Sequence, residues 1–322
     1  MRILITGATG FLSGRMAQFL SAAGHEVVLG SRSLTHAPNW LAQAKVVKTR
    51  WDSPEHLNEI CKSMDVVIHS AGMNAQDCTD DPAAALLANG VATAYLLQAS
   101  ARAQVKQFIY FSTAHVYKSN LQGVITEDTP TQNLHPYATS HLAGEACVRY
   151  ATQQGHIKGT VIRLSNAFGY PLDATTKCWG LLVNDLCKQV VQTGAITLRT
   201  TGLQQRDFIA ITDVCNIIYG IIGSLPGQHP DFVAPEVLNV GSGQSMTVLD
   251  CAQLIAKRAE MILGKTIEIK RPTVQTSLKN ESSEDLFYSI ARLKQLGIQP
   301  GDSSIKEIDD LLLYCKREFI AR

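Results

Sequence analysis

The chain opens Met1-Arg2-Ile3-Leu4-Ile5-Thr6-Gly7-Ala8-Thr9-Gly10-Phe11-Leu12-Ser13-Gly14. Ile3 to Ile5 is a short apolar run, suited to a strand buried on both faces in the middle of a parallel sheet. Gly7 and Gly10 punctuate a turn. From Arg15 to Ala23 the apolar residues Met16, Ala17, Phe19, Leu20 and Ala23 recur at helical spacing. Strand, glycine turn and helix in this order aim backbone N–H groups and a helix N-terminus at a pyrophosphate. The spacing is Gly-x-x-Gly-x-x-Ser-Gly, not Gly-x-Gly-x-x-Gly, and Ser13 stands where a third glycine is expected. Taken alone, the glycines also describe an ordinary turn; their place directly after a buried strand favours a dinucleotide cradle.

The remaining composition narrows the class. The 322 residues carry a net charge of +1, which points to neither nucleic acid nor an anionic membrane as partner. The best candidate for a membrane span, Ile217 to Leu225, is too short and contains Gly220 and Gly223. The N-terminal run reads as a strand of the fold, not a signal peptide. The eight cysteines form no Cys-x-x-Cys pair, so reduced buried thiols in a cytoplasmic protein are expected, with no metal site. The length suits two domains.

Working outward, Val27 to Leu29 reads as a second strand ending in Gly30-Ser31-Arg32-Ser33. No carboxylate is present there to repel a 2′-phosphate, and Arg32 offers a forked, charge-assisted contact to one. NADP is therefore expected over NAD, the alternative being a solvated Arg32. Val46 to Lys48 is a weak third strand; beyond it, Asp52 is either an adenine contact or a helix N-cap. Asp65 to His69 is a strong fourth strand leading to Ser70-Ala71-Gly72, with His69 read as structural. Pro82 to Ala103 reads as one long helix in which Gly90 is unusual. Gln107 to Phe111 is the fifth strand and ends in Ser112-Thr113.

Three segments together carry a family resemblance: the N-terminal Thr-Gly-x-x-Gly turn, Phe111-Ser112-Thr113-Ala114-His115-Val116-Tyr117, and His135-Pro136-Tyr137-Ala138-Thr139-Ser140-His141-Leu142-Ala143-Gly144-Glu145. The chain resembles the extended short-chain dehydrogenase/reductases, in particular the NAD-dependent epimerase/dehydratase family acting on nucleotide sugars. The resemblance implies an α/β fold: a Rossmann-type doubly wound parallel sheet (1–170 plus 206–243) with a smaller α/β substrate domain (171–205 plus 244–322). It implies a cofactor cleft at Gly7, Thr9, Gly10, Phe11, Leu12, Ser31, Arg32, Asp52, Ser70, Ala71, Gly72, Asn89, Tyr137 and His141. Substrate contacts are expected at Asn74, His115, Asn166 and Arg206, although an ion pair with Asp207 or Asp213 is the competing reading of Arg206. The family commonly dimerises through the helices at Pro82–Ala103 and Pro136–Gln153, so a homodimer is expected.

The same resemblance assigns catalysis to Thr113, Tyr137 and the residue four beyond Tyr137. Hydride transfer at a sugar carbinol needs a proton moved on or off its oxygen, and a phenol does this if its pKa is drawn down from about 10. The family uses Tyr-x-x-x-Lys, whose Lys also bonds the nicotinamide ribose, with the four-residue spacing placing both on one helix face. Here that position is His141, an imidazole mostly neutral at pH 7. The expectation is that His141 takes over the ribose contact and supports Tyr137 only when protonated. The alternative is a non-catalytic, NADP-binding sensor or partner-binding module. The family's sugar 4,6-dehydratases carry Thr-Asp-Glu where this chain has Thr113-Ala114-His115, which leaves epimerase or reductase chemistry. Towards the C-terminus, Arg163-x-x-Asn166-x-Phe168-Gly169, Arg206-Asp207-Phe208, the Leu238–Gly243 strand, a helix from Thr247 to Leu263 and the Ser289–Pro300 helix-and-turn resemble the family. Lys279 to Asp285 is the most loop-like stretch.

Overall fold

The apolar runs become neighbouring strands of one parallel sheet. The computed structural model of the chain describes residues 1–223, 236–272 and 285–320. In chain order the elements begin with β1 (Arg2–Thr6), α1 (Phe11–Ala22), β2 (Glu26–Ser31), β3 (Lys45–Lys48), α2 (Pro54–Cys61), β4 (Val66–His69), α3 (Ala75–Asp80), α4 (Pro82–Ala85), α5 (Ala92–Arg102) and β5 (Gln107–Thr113). There follow β6 (Gly123–Ile125), α6 (Pro136–Gln153), β7 (Gly159–Leu164), β8 (Asn166–Phe168), α7 (Leu182–Thr193), β9 (Ala195–Thr197), β10 (Gln205–Ala210) and α8 (Ile211–Gly223). The last are β11 (Val237–Val240), β12 (Ser245–Thr247), α9 (Val248–Leu263), β13 (Glu268–Lys270), β14 (Leu286–Tyr288), α10 (Ala291–Gln295) and α11 (Ser304–Phe319). Lys279–Asp285 lies outside the described residues except for Asp285.

Among the described residues the main sheet runs β3-β2-β1-β4-β5-β7-β11, and all its pairings are parallel. The order reverses between β1 and β4, which opens a crevice at their carboxyl ends. Alternation across the pleat explains the continuous apolar runs. Ile3 and Ile5 face α1 and α8 through Met16, Leu20, Ile218 and Ile221. Leu4 and Val67 face the other way, onto Leu57 of α2 and Leu96 of α5. Both faces are covered, so no polar alternation is needed.

The Pro82–Ala103 pattern is helical throughout but holds one π-helical turn at Leu86–Val91, between α4 and α5. Gly90 lies in that turn and is buried. The helix Pro82–Arg102 is, by length and composition, apolar enough to cross a bilayer, so Ile217–Leu225 is not the strongest candidate. Half of its apolar window is buried in the protein: Leu96 and Leu97 pack in the core between α2 and the sheet.

The smaller unit is built on β8-β10-β12 and the pair β9-β13. Its core joins Phe168, Phe208, Val183, Leu186, Ile255 and Leu311. Thr247 and Asp250 form a capping box that starts α9. Packing crosses the boundaries read from the sequence at two places. Phe208 and Ala210 of β10 enter the smaller core while Ile209 between them enters the larger one. Ile290 and Leu293, within the C-terminal stretch, also pack into the larger core. A buried ion pair, Arg15 Nη1 to Glu307 Oε1 at 2.7 Å, ties α1 to α11. All eight cysteines are free thiols, seven of them buried.

Candidate active site

The glycine turn sits at the C-terminal end of β1. Gly7 has φ +74°, and a Cβ there would lie 2.8 Å from Ala71 Cα, so only glycine fits. Ser13 is buried; its hydroxyl donates to Gly7 O at 2.6 Å and accepts from Ser70 Oγ at 3.1 Å. The apparent departure from the glycine pattern is thus a polar staple that fastens the turn to the end of β4. Gly10 caps α1 without a side-chain hydrogen bond, and the first turn holds no acidic residue. The leading N–H groups of α1 are therefore left for an anion. This uncapped terminus, with the space that Gly7 keeps open, fits the pyrophosphate of a dinucleotide.

A cavity of about 460 Å³ extends from this turn along β2 and β4. Gly7, Thr9, Gly10, Ser31, Arg32, Ser70, Ala71 and Gly72 line it, as expected, joined by Thr49, Trp51 and Met73, which the sequence did not single out. Ser31 Oγ is used locally, accepting from the N–H groups of Ser33 and Leu34 at 3.2 Å. Arg32 is exposed and has no ion pair among the described residues. Asp52 is exposed and outside the cavity wall; Trp51 occupies that wall, and Ser53 caps α2 by accepting from His56 N–H. The N-cap reading of Asp52 is not realised, because Ser53 beside it takes that position. Asn89 is also not at the surface of the cleft. It is buried, accepting from Met73 N–H at 2.8 Å and donating to Ser140 Oγ at 2.9 Å, which pins the loop after β4 to α6.

A second cavity, of about 220 Å³, holds the catalytic candidates Thr113 and Tyr137 together with His115, Asn166, Phe11 and Leu12. A further cleft shares Phe11 with this cavity and Gly10 and Arg32 with the first, so all three border the start of α1. Tyr137 stands in the first turn of α6 after Pro136, with His135 as the cap accepting its N–H at 3.1 Å. Burial raises the Tyr137 pKa above its ordinary value and the Thr113 hydroxyl draws it back. Thr113 Oγ1 also accepts from His115 N–H at 3.1 Å, which fixes it at the end of β5. Beneath, Glu145 of α6 accepts from Ser112 Oγ at 2.5 Å and from Arg163 Nη2 of β7 at 2.6 Å. These buried bonds lock helix α6 to β5 and so set Tyr137 against Thr113.

His141 is one turn beyond Tyr137, and the two rings meet edge to face with centroids 4.7 Å apart. Burial pushes its pKa down to about 4. At that value the ring is neutral at pH 7, because burial penalises the cation and no carboxylate pairs with it. Its Nδ1 is 3.0 Å from the Tyr110 hydroxyl. His69, read as structural, is fully buried between Thr6 Oγ1 at 2.7 Å and Thr93 Oγ1 at 3.0 Å.

On the substrate side, burial and then the neighbouring Arg206 lower the His115 pKa. Asn166 lines the same cavity while its Nδ2 donates to Asp207 O at 2.8 Å. Arg206 makes no ion pair among the described residues, since Asp207 is held by Ser165, Ser242 and Gly243, and Asp213 accepts from Ser303 N–H. The competing reading of Arg206 therefore fails. Asn74 is exposed and committed as the cap of α3, accepting from Asp77 N–H at 3.0 Å. Among the described residues no cluster of His, Cys, Asp and Glu is arranged to hold a metal.

A family model, the NAD dependent epimerase/dehydratase family, matches residues 3–241. The chain belongs to that family. Within it, the chain is 26% identical over 315 residues to human dTDP-D-glucose 4,6-dehydratase, covering 92% of this chain and 84% of that one. It is 25% identical over 268 residues to an uncharacterized UDP-glucose epimerase of Bacillus subtilis, covering 79% and 81%. Among solved structures, the UDP-glucuronic acid 4-epimerase of Bacillus cereus, in complex with UDP-glucuronic acid and NAD, superposes with a TM-score of 0.78 at 23% identity, covering 99% of this chain and 100% of that one. The UDP-glucose 4-epimerase of Thermotoga maritima gives 0.79 at 21% identity, covering 98% and 99%. Family membership and the α/β Rossmann-type architecture thus agree with the sequence reading.

Proposed function

We propose that this epimerase/dehydratase family member is an NAD(P)-dependent enzyme that epimerises or reduces a nucleotide-linked sugar. The observation that carries this is the meeting of Thr113 and Tyr137 in one cavity that continues into the uncapped terminus of α1. A pure binder has no use for a hydroxyl pair buried at the far end of its cleft. When bound, the nicotinamide supplies the hydride acceptor or donor. Thr113 orients the sugar oxygen, and Tyr137 gives that oxygen a proton as the phenol during reduction and takes one from it as the phenolate during oxidation. We read Asn166, in the wall of that cavity, and Arg206, a cation near His115 with no ion pair among the described residues, as the nucleotide-diphosphate contacts. Ala114 and the neutral His115 supply no carboxylic acid, which favours epimerisation or reduction over the elimination performed by the dehydratase relatives.

The solved Bacillus cereus epimerase is a complex with NAD. We read the free Arg32 and the absence of an acidic side chain at the end of β2 as favouring NADP. A homodimer through α5 and α6 is supported by exposed apolar residues there, Tyr95 at 40% and Tyr150 at 63% exposure; sedimentation equilibrium measures it directly. The functional test is to load the protein with NADP or NAD and add a panel of uridine- and thymidine-diphosphate sugars beside the free sugars. Product formation or cofactor redox with nucleotide sugars alone is expected; turnover of free sugars only would refute the substrate class.

A further inference from the structure

His141 faces a buried polar chain whose carbonyl end favours one arrangement of protons. Thr93 Oγ1 donates to Asn89 O at 2.6 Å, so its oxygen accepts from His69 Nε2–H, and the bare His69 Nδ1 accepts from Thr6 Oγ1. The Tyr110 hydroxyl lies 3.2 Å from the same carbonyl and 3.0 Å from His141 Nδ1. A carbonyl only accepts, so the phenol proton goes to Asn89 O and the phenol oxygen accepts from His141 Nδ1–H. The opposite choice sets two oxygens 3.2 Å apart in a dry interior with no proton between them. Gly144 makes the contact possible: a Cβ there would lie 2.5 Å from the Tyr110 hydroxyl.

Nε2 is the ring nitrogen not turned to Tyr110, and no hydrogen bond to it is found among the described residues; the ring packs edge-on against Tyr137, which lines the second cavity, whose wall does not include His141 itself. The titratable groups around the ring are Tyr110, Tyr137 edge-on, His69 stacked behind Tyr110, and Glu145 one turn along α6, itself paired with Arg163. We propose that Tyr110 is a positioning residue, whose buried hydroxyl fixes His141 as the Nδ1–H tautomer and leaves the Nε2 lone pair to accept from a hydroxyl in the cleft beside Tyr137. A lysine at this position would offer only donors. The site therefore presents an acceptor, and a hydroxyl that donates to Nε2 keeps its own oxygen free to accept from Tyr137. The catalytic part of this inference rests on the enzymatic reading above; the tautomer does not.

The experiment is histidine-¹⁵N NMR at pH 7 on the full chain, as wild type and Tyr110→Phe, with His141→Asn to assign the resonance. Wild type is expected to show a protonated Nδ1 and a bare Nε2 at His141, and Tyr110→Phe to relax towards the Nε2–H form. With a turned-over nucleotide sugar, Tyr110→Phe lowers kcat about tenfold with the sugar KM within twofold. An Nε2–H tautomer in wild type overturns the proposal, and that spectrum decides it even if Tyr110→Phe does not fold. An unchanged tautomer in a folded Tyr110→Phe overturns it as well. The expected tautomers in a protein that turns over no nucleotide sugar would uphold Tyr110 as positioning His141 and refute only the enzymatic reading.

Discussion

The two ends of the groove handle departures from the family pattern differently. At the glycine turn, the unusual residue is absorbed: Ser13 replaces a glycine and its hydroxyl staples the turn to Ser70. The surface offered to a ligand, the uncapped start of α1, is unaffected. At the start of α6 the unusual residue changes what is offered. His141 is neutral, anchored from behind by Tyr110, and supplies no cation to Tyr137. A backbone cradle tolerates side-chain substitution because its donors are main-chain groups. A proton-transfer site made of side chains does not.

The sharpest attack on the cradle is Gly7→Ala. With φ +74° and backbone atoms of Ala71 already within 3 Å of the new methyl, dinucleotide affinity should fall about a hundredfold or more. Cofactor titration checks it; a variant that bound normally would show that the turn is not the pyrophosphate site. Next in size is Arg32→Ala. Removing a charge-assisted phosphate contact worth about 1.5–3 kcal/mol should weaken NADPH roughly tenfold to 150-fold while NADH is spared. Equal affinity of the wild type for both cofactors would end the NADP preference and leave the cradle standing.

The other end of the groove is probed by acid. His69 and His141 are depressed to about 3 and about 4, both below the unfolded value of about 6.5. Between those limits the unfolded chain binds more protons, so stability rises with pH and is lost as pH falls from about 6.5 towards 4. Each histidine contributes about 1.4 kcal/mol per pH unit across that window. Urea midpoints across that range measure the loss, and His141→Gln should remove its share. A pH-independent midpoint would mean that the imidazoles are not buried as described. The smallest effect belongs to Ser13→Ala, about 1 kcal/mol by thermal melting, with cofactor affinity little changed. A large loss of affinity there would make Ser13 a direct ligand and erase the contrast between the two ends.

Much of this was legible because the signals are local. The strand, turn and helix at residues 2–22 are written in one short segment whose spacing follows from strand and helix geometry, and the Thr113–Tyr137 pair was legible through the family resemblance of two others. What was hidden depends on residues far apart in the chain. Ser13 makes sense only beside Ser70, and Tyr110 looked like one more buried strand residue until it met His141 from α6. Asp52 was misplaced because Asp-Ser-Pro offers two capping residues and the sequence does not say which one turns inward. The π-helical turn around Gly90 arises where Asn89 is drawn towards Met73 and Ser140, a tertiary demand that overrides local propensity. Helix α11, whose Glu307 holds Arg15, carries no motif and emerged only from the fold.

Tyr137→Phe tests the central claim, that the phenol in this groove carries the proton transfer. The phenol is the group to which proton transfer is assigned, and Phe keeps the ring that packs on His141. Turnover of the nucleotide sugar identified for the wild type should fall about 10²- to 10⁴-fold, while dinucleotide affinity stays within about twofold. Turnover that survives Tyr137→Phe would contradict the account and move the acid–base role elsewhere in the cavity, with His115 the first residue to examine.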